Sequence, residues 1–315
     1  MATKSWRGRR VVSISNLKGG VGKSTTTMML ADALSLKHNA RVVVVDLDPQ
    51  ANVSQMLLSY RGLQTARNTG ITLTDWVESL SQSSQTEFFT YASPGVSGLH
   101  ELNPKSLPQY AKDSGELSLV PATPELRFAE LEFDHNSFQT GNPAAPTARM
   151  IDCLDRGVKS FKGSVDLVLF DCPPAFSTLA QAALSISDAI ISPTLEEPLG
   201  AWSLKAFRDF GLDKTLRVWD PERHRVLFTR VSRKGALDER REVRNNIVQA
   251  GFHVLPVAVK DSSYAHRWVQ KPAPESRKRY ASKYGPVRRS VTELGDEVAV
   301  FLGKLSVRGE LKNGQ

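Results

Sequence analysis

The sequence predicts an α/β protein: a doubly wound, mostly parallel β-sheet with helices on both faces. Three observations predict it. The runs Val11–Ser15, Arg41–Val45 and Val165–Phe170 are largely apolar and rich in β-branched residues. That is the composition of strands buried on both faces of a parallel sheet. Helix-like periodicity fills much of the chain between such runs. The first run also passes through a glycine-rich loop straight into a helical pattern, the strand–loop–helix order in which such a loop binds phosphate.

That loop is Asn16-Leu17-Lys18-Gly19-Gly20-Val21-Gly22-Lys23-Ser24-Thr25-Thr26-Thr27. Its glycines allow backbone N–H groups to turn inward around an anion, and the following helix offers its free N–H groups and positive dipole end. Gly19, Gly20, Val21, Gly22 and Thr25 are therefore candidate phosphate-binding positions. Lys23 is placed to reach the β- and γ-phosphates, and Ser24 to give its hydroxyl to Mg²⁺. The loop departs from the ordinary G-x-x-x-x-G-K-[ST] pattern. Leu17 stands where the first glycine belongs, and a second lysine, Lys18, opens the loop.

Met29, Leu30, Ala33 and Leu34 give the next helix its apolar spacing over Thr25–Leu36, and Asn39-Ala40 breaks it. The strand Arg41–Val45 ends at Asp46-Leu47-Asp48-Pro49-Gln50-Ala51-Asn52. Carboxylates just past the carboxyl end of a parallel strand face the crevice where open α/β sheets bind ligands. A carboxylate there can accept a proton or a hydrogen bond from water in line with a γ-phosphate. An ordinary Asp-Pro turn is the plainer alternative.

Ser54–Tyr60 predicts a short helix, and Ile71–Leu80 an amphipathic one with Thr74 as its N-cap. The stretch 60–115 otherwise offers no chemistry. Leu117–Pro121 alternates as a strand, Pro124–Phe133 reads as a helix, 138–147 as a loop and Met150–Ser160 as a helix. Val165–Phe170 then ends in Asp171-Cys172-Pro173-Pro174, a buried strand closed by an acid that can hold Mg²⁺ or its water. The two prolines stiffen a switch-like loop. Cys172, beside them and without a ligand motif, reads as a small buried residue.

Leu179–Ile186 predicts a helix, Asp188–Ser192 a strand closed by Pro193, and Trp202–Phe210 a helix. Arg225–Val231 predicts a strand, and Asp238–Ala250 a basic helix with Val243, Ile247 and Val248 on its apolar face and Gly251 past its end. Phe252–Val257 predicts the last strand. Ser290–Leu305 predicts a terminal helix whose other face carries Glu293, Asp296, Glu297 and Lys304. A membrane-surface helix would carry mostly Lys and Arg there, whereas this face is mainly acidic, so the helix reads as a cover for the sheet.

Lys-Gly-Gly-Val-Gly-Lys-Ser, Asp-Leu-Asp-Pro-Gln and Asp-Cys-Pro-Pro, in that order, resemble the ParA/MinD family of deviant Walker A P-loop ATPases. The resemblance covers most of the chain and is specific at 16–27, 46–52 and 171–174. It implies ATP and Mg²⁺ as cofactors and a single P-loop ATPase domain over 1–315. It implies that Lys18 reaches the phosphates of the partner subunit in an ATP-bound sandwich dimer. It gives Lys18, Lys23 and Asp48 catalytic roles, with Asp48 orienting or activating the attacking water. It places Ser24, Asp46 and Asp171 at or near the metal, and makes Pro256 the candidate to lie against the base.

The net charge of +8 is unevenly distributed. From Leu204 onward the chain carries 24 Lys/Arg against 13 Asp/Glu, whereas residues 1–203 carry 17 against 20. A basic C-terminal part, 204–315, suggests a polyanion partner. Arg230, Arg233, Lys234, Arg240, Arg241 and Arg244 form one cluster; Arg267 and Lys271 belong to a second, interleaved with tyrosines and Trp268. Lys and Arg of this kind neutralise backbone phosphates without reading sequence. For each residue alone a solvated face or an ion pair is the plainer alternative. The resemblance implies non-specific DNA binding by the dimer, release on hydrolysis stimulated by a ParB-like partner, and a cytoplasmic, nucleoid-associated location. Two cysteines and no secretory or membrane-length apolar segment agree with the cytosol. Rival readings are a MinD-like or cargo-positioning ATPase and a metabolic P-loop ligase. Residues specific to a ligase substrate are not evident.

Overall fold

The structure is a computed structural model and describes residues 6–82, 117–138, 142, 144–161, 165–231, 237–261 and 284–306. Seven strands form one sheet: β1 Arg10–Ile14, β2 Val42–Asp46, β3 Leu117–Val120, β4 Leu167–Asp171, β5 Ala189–Thr194, β6 His224–Val231 and β7 His253–Lys260. Their order is β3-β2-β4-β1-β5-β6-β7, and every pair is parallel. β1 lies at the centre, so the chain winds to one side through β2 and β3, returns at β4, and crosses to the other side from β5. The loops leaving β1 and β4 part at this switch point, where a crevice opens at the carboxyl ends.

The valines of β2 show why the sheet is covered twice. Val42 and Val44 enter one apolar cluster, Val43 and Val45 another, as a period of two requires. The first face is covered by α1 (Lys23–Lys37), α2 (Asn52–Asn68) and α9 (Arg288–Lys304). The second is covered by α3 (Leu73–Gln82), α4 (Leu126–Phe138), α5 (Ala145–Ser160) and α6 (Thr178–Ile186). Beyond them lie α7 (Pro198–Ala206), which continues as a π-helical segment over Phe207–Thr215, and α8 (Leu237–Gln249). The doubly wound architecture with helices on both faces is thus the one expected.

Four local expectations are corrected. The helix expected at Ser54–Tyr60 runs from Asn52 to Asn68. The cap of α3 is Thr72, not Thr74: Thr72 N–H donates to the Asp75 carboxylate at 2.8 Å, and Asp75 N–H donates back to Thr72 Oγ1 at 3.3 Å. This is a reciprocal capping box two residues earlier than the apolar spacing suggests. Thr74 instead shares a 2.8 Å hydrogen bond with Thr123. Val248 is exposed, and Val243 and Ile247 alone bury the face of α8.

Pro193 does not close β5; it stands inside it, paired in register with Leu227. Ser15 N–H donates to Ile191 O, so continued parallel pairing would direct the residue 193 nitrogen at Ser15 O. Proline has no N–H to give. The Ser192 hydroxyl supplies the missing donor to Ser15 O at 2.8 Å. The terminal helix behaves as expected: Val291, Leu294, Val298, Phe301 and Leu302 are buried against α1 and the sheet. None of the described helices is long and apolar enough to cross a membrane.

Candidate nucleotide site

A cleft of about 350 Å³ lies at the carboxyl ends of the strands. Its floor is the loop between β1 and α1. Gly20 and Gly22 adopt φ of +73° and +87°, conformations that glycine takes without strain. Gly19, Gly20, Gly22, Lys23, Ser24 and Thr25 line the cleft, while Val21 is buried beneath it. Thr229, at the end of β6, donates to Val21 O at 2.7 Å and so ties the loop to the sheet. Local patterning had no reason to single out Thr229; only the β5–β6 pairing brings it here.

Lys23 is buried, and its ammonium donates to Lys18 O at 3.0 Å. Desolvation lowers its pKa, with Asp171 and Asp48 opposing that shift. A buried cation among backbone groups suits a phosphate.

The parallel register sets Asp46 of β2 directly beside Asp171 of β4. Desolvation pushes both carboxyls up, Asp171 to about 6, and their mutual proximity adds to the shift of Asp46. The two differ in how their oxygens are used. Asp46 Oδ2 accepts from Ser54 N and Ser54 Oγ at 3.0 and 2.6 Å, and Oδ1 accepts from Asp48 N at 3.1 Å. Asp46 therefore organises the loop that presents Asp48; it is not the open metal ligand that its strand-end position suggests. Asp171 Oδ1 accepts from Thr27 Oγ1 at 2.8 Å, and Ser24 hydrogen-bonds the same carboxylate. Asp171 Oδ2 is buried with no partner.

A divalent cation fits this donor set. An orphaned carboxylate oxygen beside a serine hydroxyl matches Mg²⁺ held by one carboxylate, one hydroxyl, phosphates and water. Among the described residues no group of three or more His, Cys, Asp and Glu is placed to hold a metal ion.

Asp48 is buried at the cleft edge, where its Oδ1 accepts from Gln50 N at 2.9 Å. Gln50, Asn52 and Pro174 line the cleft beside it. Lys18, with its side chain one-fifth exposed, forms an ion pair with Glu197 of its own chain. Cys172 is buried and free, and burial pushes its thiol up to about 12, so it is an inert core residue.

Two predicted positions lie elsewhere than expected. Pro256 is exposed within β7 and does not line the cleft. Val259, Lys260 and Asp261, at the end of the same strand, do, with Met29 and Met56 as apolar neighbours. The strand is longer than its apolar run suggests, which moves its carboxyl end past Pro256. Arg230, read as a polyanion contact, also lines the cleft; it has φ of +52°, and its guanidinium is 3.5 Å from Gly20 O and 3.9 Å from Asp261.

The other described basic candidates have acidic neighbours. Arg240 and Arg244 both pair with the buried carboxylate of Glu196, and Arg241 lies 3.9 Å from Asp238. Arg233, Lys234, Arg267 and Lys271 lie outside the described residues.

Residues 9–210 match a family described as "AAA domain". The chain is 30% identical over 187 residues to a chromosome partitioning protein ParA of Myxococcus xanthus, covering 58% of this chain and 51% of that protein. It is 31% identical over 188 residues to the chromosome-partitioning ATPase Soj of Thermus thermophilus, covering 60% and 55%. These matches thus span about half the length of those relatives. A ParA family protein of Mycoplasma pneumoniae is matched over 90% of this chain and 97% of its own length, at 26% identity.

Among solved structures, a putative plasmid partition protein of Borrelia burgdorferi bound to AMPPNP superposes with a TM-score of 0.65 at 16% identity, covering 92% of this chain and 98% of that one. McdA from Cyanothece superposes at 0.62, with 16% identity and coverages of 92% and 100%. These likenesses show a shared fold. With almost two thirds of its length inside the AAA-domain match, and the three motifs gathered at one cleft, the chain belongs to the ParA family within that domain class.

Proposed function

We propose that this protein is an ATPase that partitions DNA, cycling between a nucleotide-bound dimer on DNA and a released form. The observation that carries the reading is the convergence of Lys23, the Ser24–Asp171 pair and Asp48 on one cleft floored by the glycine loop. The triphosphate lies in the loop, cradled by its N–H groups and the start of α1, with Lys23 beside the β- and γ-phosphates. Ser24 and Asp171 would hold Mg²⁺, which when bound would neutralise charge on the phosphate oxygens. Asp48, fixed by Asp46 and Gln50, accepts a hydrogen bond from the attacking water. Its Asx-turn geometry positions that water without making it a strong nucleophile, which suits a slow cycle stimulated by a ParB-like partner.

Lys18 is the dimer's sensor. In the single chain it pairs with Glu197, and in the dimer it leaves Glu197 for the partner subunit's phosphates. The surplus of Lys and Arg after Leu204 supplies the DNA-facing charge. Arg230 belongs to the nucleotide cleft in this reading, and Glu196 holds Arg240 and Arg244 for structure as much as for DNA. The acidic outer face of α9 favours this reading over a MinD-like membrane one.

The testing experiment measures DNA binding with ATP, with ADP and without nucleotide across a salt series. Tight, salt-sensitive binding with ATP alone is expected. Absence of binding at low salt with ATP present would sink the DNA reading while leaving nucleotide binding intact.

A further inference from the structure

A groove of about 420 Å³ runs between α7 and α8. The two helices lie side by side and point the same way. Glu196, just before α7, pairs with Arg240 and Arg244 in the first two turns of α8. At the other end the Arg208 guanidinium, past α7, donates to Ala250 O, past α8. From α8 the groove takes Glu239, Glu242, Val243, Asn246, Ile247 and Ala250, the spacing of one helix face. From α7 it takes Pro198, Ala201, Trp202 and Lys205, a stripe of the same kind. Arg240, Arg241 and Arg244 lie outside it, and no residue of the groove lines the nucleotide cleft.

Two features of this face have no use within the chain. The first is apolar. Trp202 is 73% exposed, and Leu199, one turn before it, is 55% exposed. A tryptophan standing in water at the wall of a groove has the composition and setting of an interface anchor. The second is electrostatic. Glu196 takes Arg240 and Arg244, and Arg241 lies beside Asp238. Glu239 and Glu242 are exposed and have no ion-pair partner among the described residues, and neither has Lys205. In a part of the chain with a basic surplus, two free carboxylates reverse the local sign. The groove therefore runs from an acidic end, over the apolar floor of Val243 and Ile247, to a single cation.

We propose that this groove docks an amphipathic helix of a partner protein: its apolar face covers Trp202, Val243 and Ile247, its C-terminal Lys or Arg residues meet Glu239 and Glu242, and a carboxylate in its first turn meets Lys205. The stripe from Glu239 to Ala250 rises about 16 Å, three turns of helix, which is the scale of helix-in-groove recognition. In this direction the docked helix lies antiparallel to α7 and α8. Its dipole then opposes theirs, and its own end charges stand where that dipole favours them. Nucleic acid is repelled by the free carboxylates. A second copy of the chain brings the same concave face, and two concavities leave the space between them unfilled. The proposal is independent of the nucleotide reading.

The test titrates the nucleotide-free full-length chain into two fluorescein-labelled peptides of about 14 residues and equal composition, read by anisotropy. Both carry leucines at helical spacing; one has glutamates in its first turn and arginines in its last, and the other has these charges exchanged. The first should bind with a Kd of about 1–50 μM, and the second about tenfold more weakly. Glu239→Lys combined with Glu242→Lys, at exposed positions, should abolish the preference, which a mere difference in peptide helicity would leave in place. Trp202→Ala should weaken both peptides by at least about tenfold. Unchanged thermal unfolding midpoints establish that the variants fold. Equal affinities for the wild-type chain, a preference that survives the double substitution, wild-type binding by Trp202→Ala, or no binding up to about 1 mM would each overturn the proposal. Self-association of the peptide-free chain that Trp202→Ala removes in sedimentation would overturn it too, and assign the face to a second copy.

Discussion

At the scale of single residues, the cleft separates two aspartates that look alike in sequence. Asp46 spends both oxygens on Ser54 and Asp48, whereas Asp171 keeps one buried oxygen unpartnered. Asp171→Asn is therefore expected to stabilise the free chain while abolishing Mg²⁺-dependent nucleotide binding. Its carboxyl is raised from 3.8 to about 6, so the folded chain holds a proton there more tightly than the unfolded one. Stability linked to this group is then present in acid and lost as pH rises from about 4 through about 6. Thermal unfolding should show Asp171→Asn a few degrees above wild type at about pH 8, with the gap closing at about pH 5; a gap independent of pH would contradict the assignment. Asp48→Ala should keep nucleotide and DNA binding and slow hydrolysis by at least about a hundredfold. Equal loss of nucleotide binding, read by fluorescent-ATP titration, would make Asp48 structural. Lys18→Ala breaks only a partly exposed ion pair in the single chain, worth about 0–1 kcal/mol. It should leave monomer nucleotide affinity nearly unchanged and remove the ATP-dependent dimer in light scattering.

At the scale of elements, two contacts fix how helices meet. Gly295 of α9 lies so close to α1 that a β-carbon built on it would approach Ala33 Cβ to 2.6 Å. The neighbour is another short, rigid side chain, so the helices must separate. Gly295→Val should cost about 1–3 kcal/mol in urea unfolding. The capping box of α3 makes the second prediction: Thr72→Ala should lose about 1 kcal/mol, whereas Thr74→Ala should lose only its link to Thr123. The same level explains Pro193. A proline in a central strand is ordinarily excluded, yet the adjacent serine hydroxyl restores the lost hydrogen bond.

At the scale of the whole molecule, charge and topology act together. The sheet order gathers the loops after β1, β2, β4, β6 and β7 at one end, and the basic surplus lies after Leu204. If the dimer neutralises several phosphates, the logarithm of its DNA affinity should fall linearly with that of salt, with a slope of about −0.9 per phosphate; a flat response would remove the charge argument. Much of this was legible in the sequence. A glycine loop between strand and helix, and an acid ending a β-branched run, are local patterns whose backbone meaning does not depend on distant residues. The sequence by itself determined the parallel α/β architecture, the phosphate loop, and the placement of Asp48 and Asp171 at strand ends. Only the tertiary structure decided that Asp46 is occupied, that Lys18 rests on Glu197, that Arg230 and Thr229 join the cleft while Pro256 does not, and that the Ser192 hydroxyl replaces the donor Pro193 lacks. Each of these depends on which strands become neighbours and where each strand stops, and the register of distant segments sets which side-chain atoms find partners.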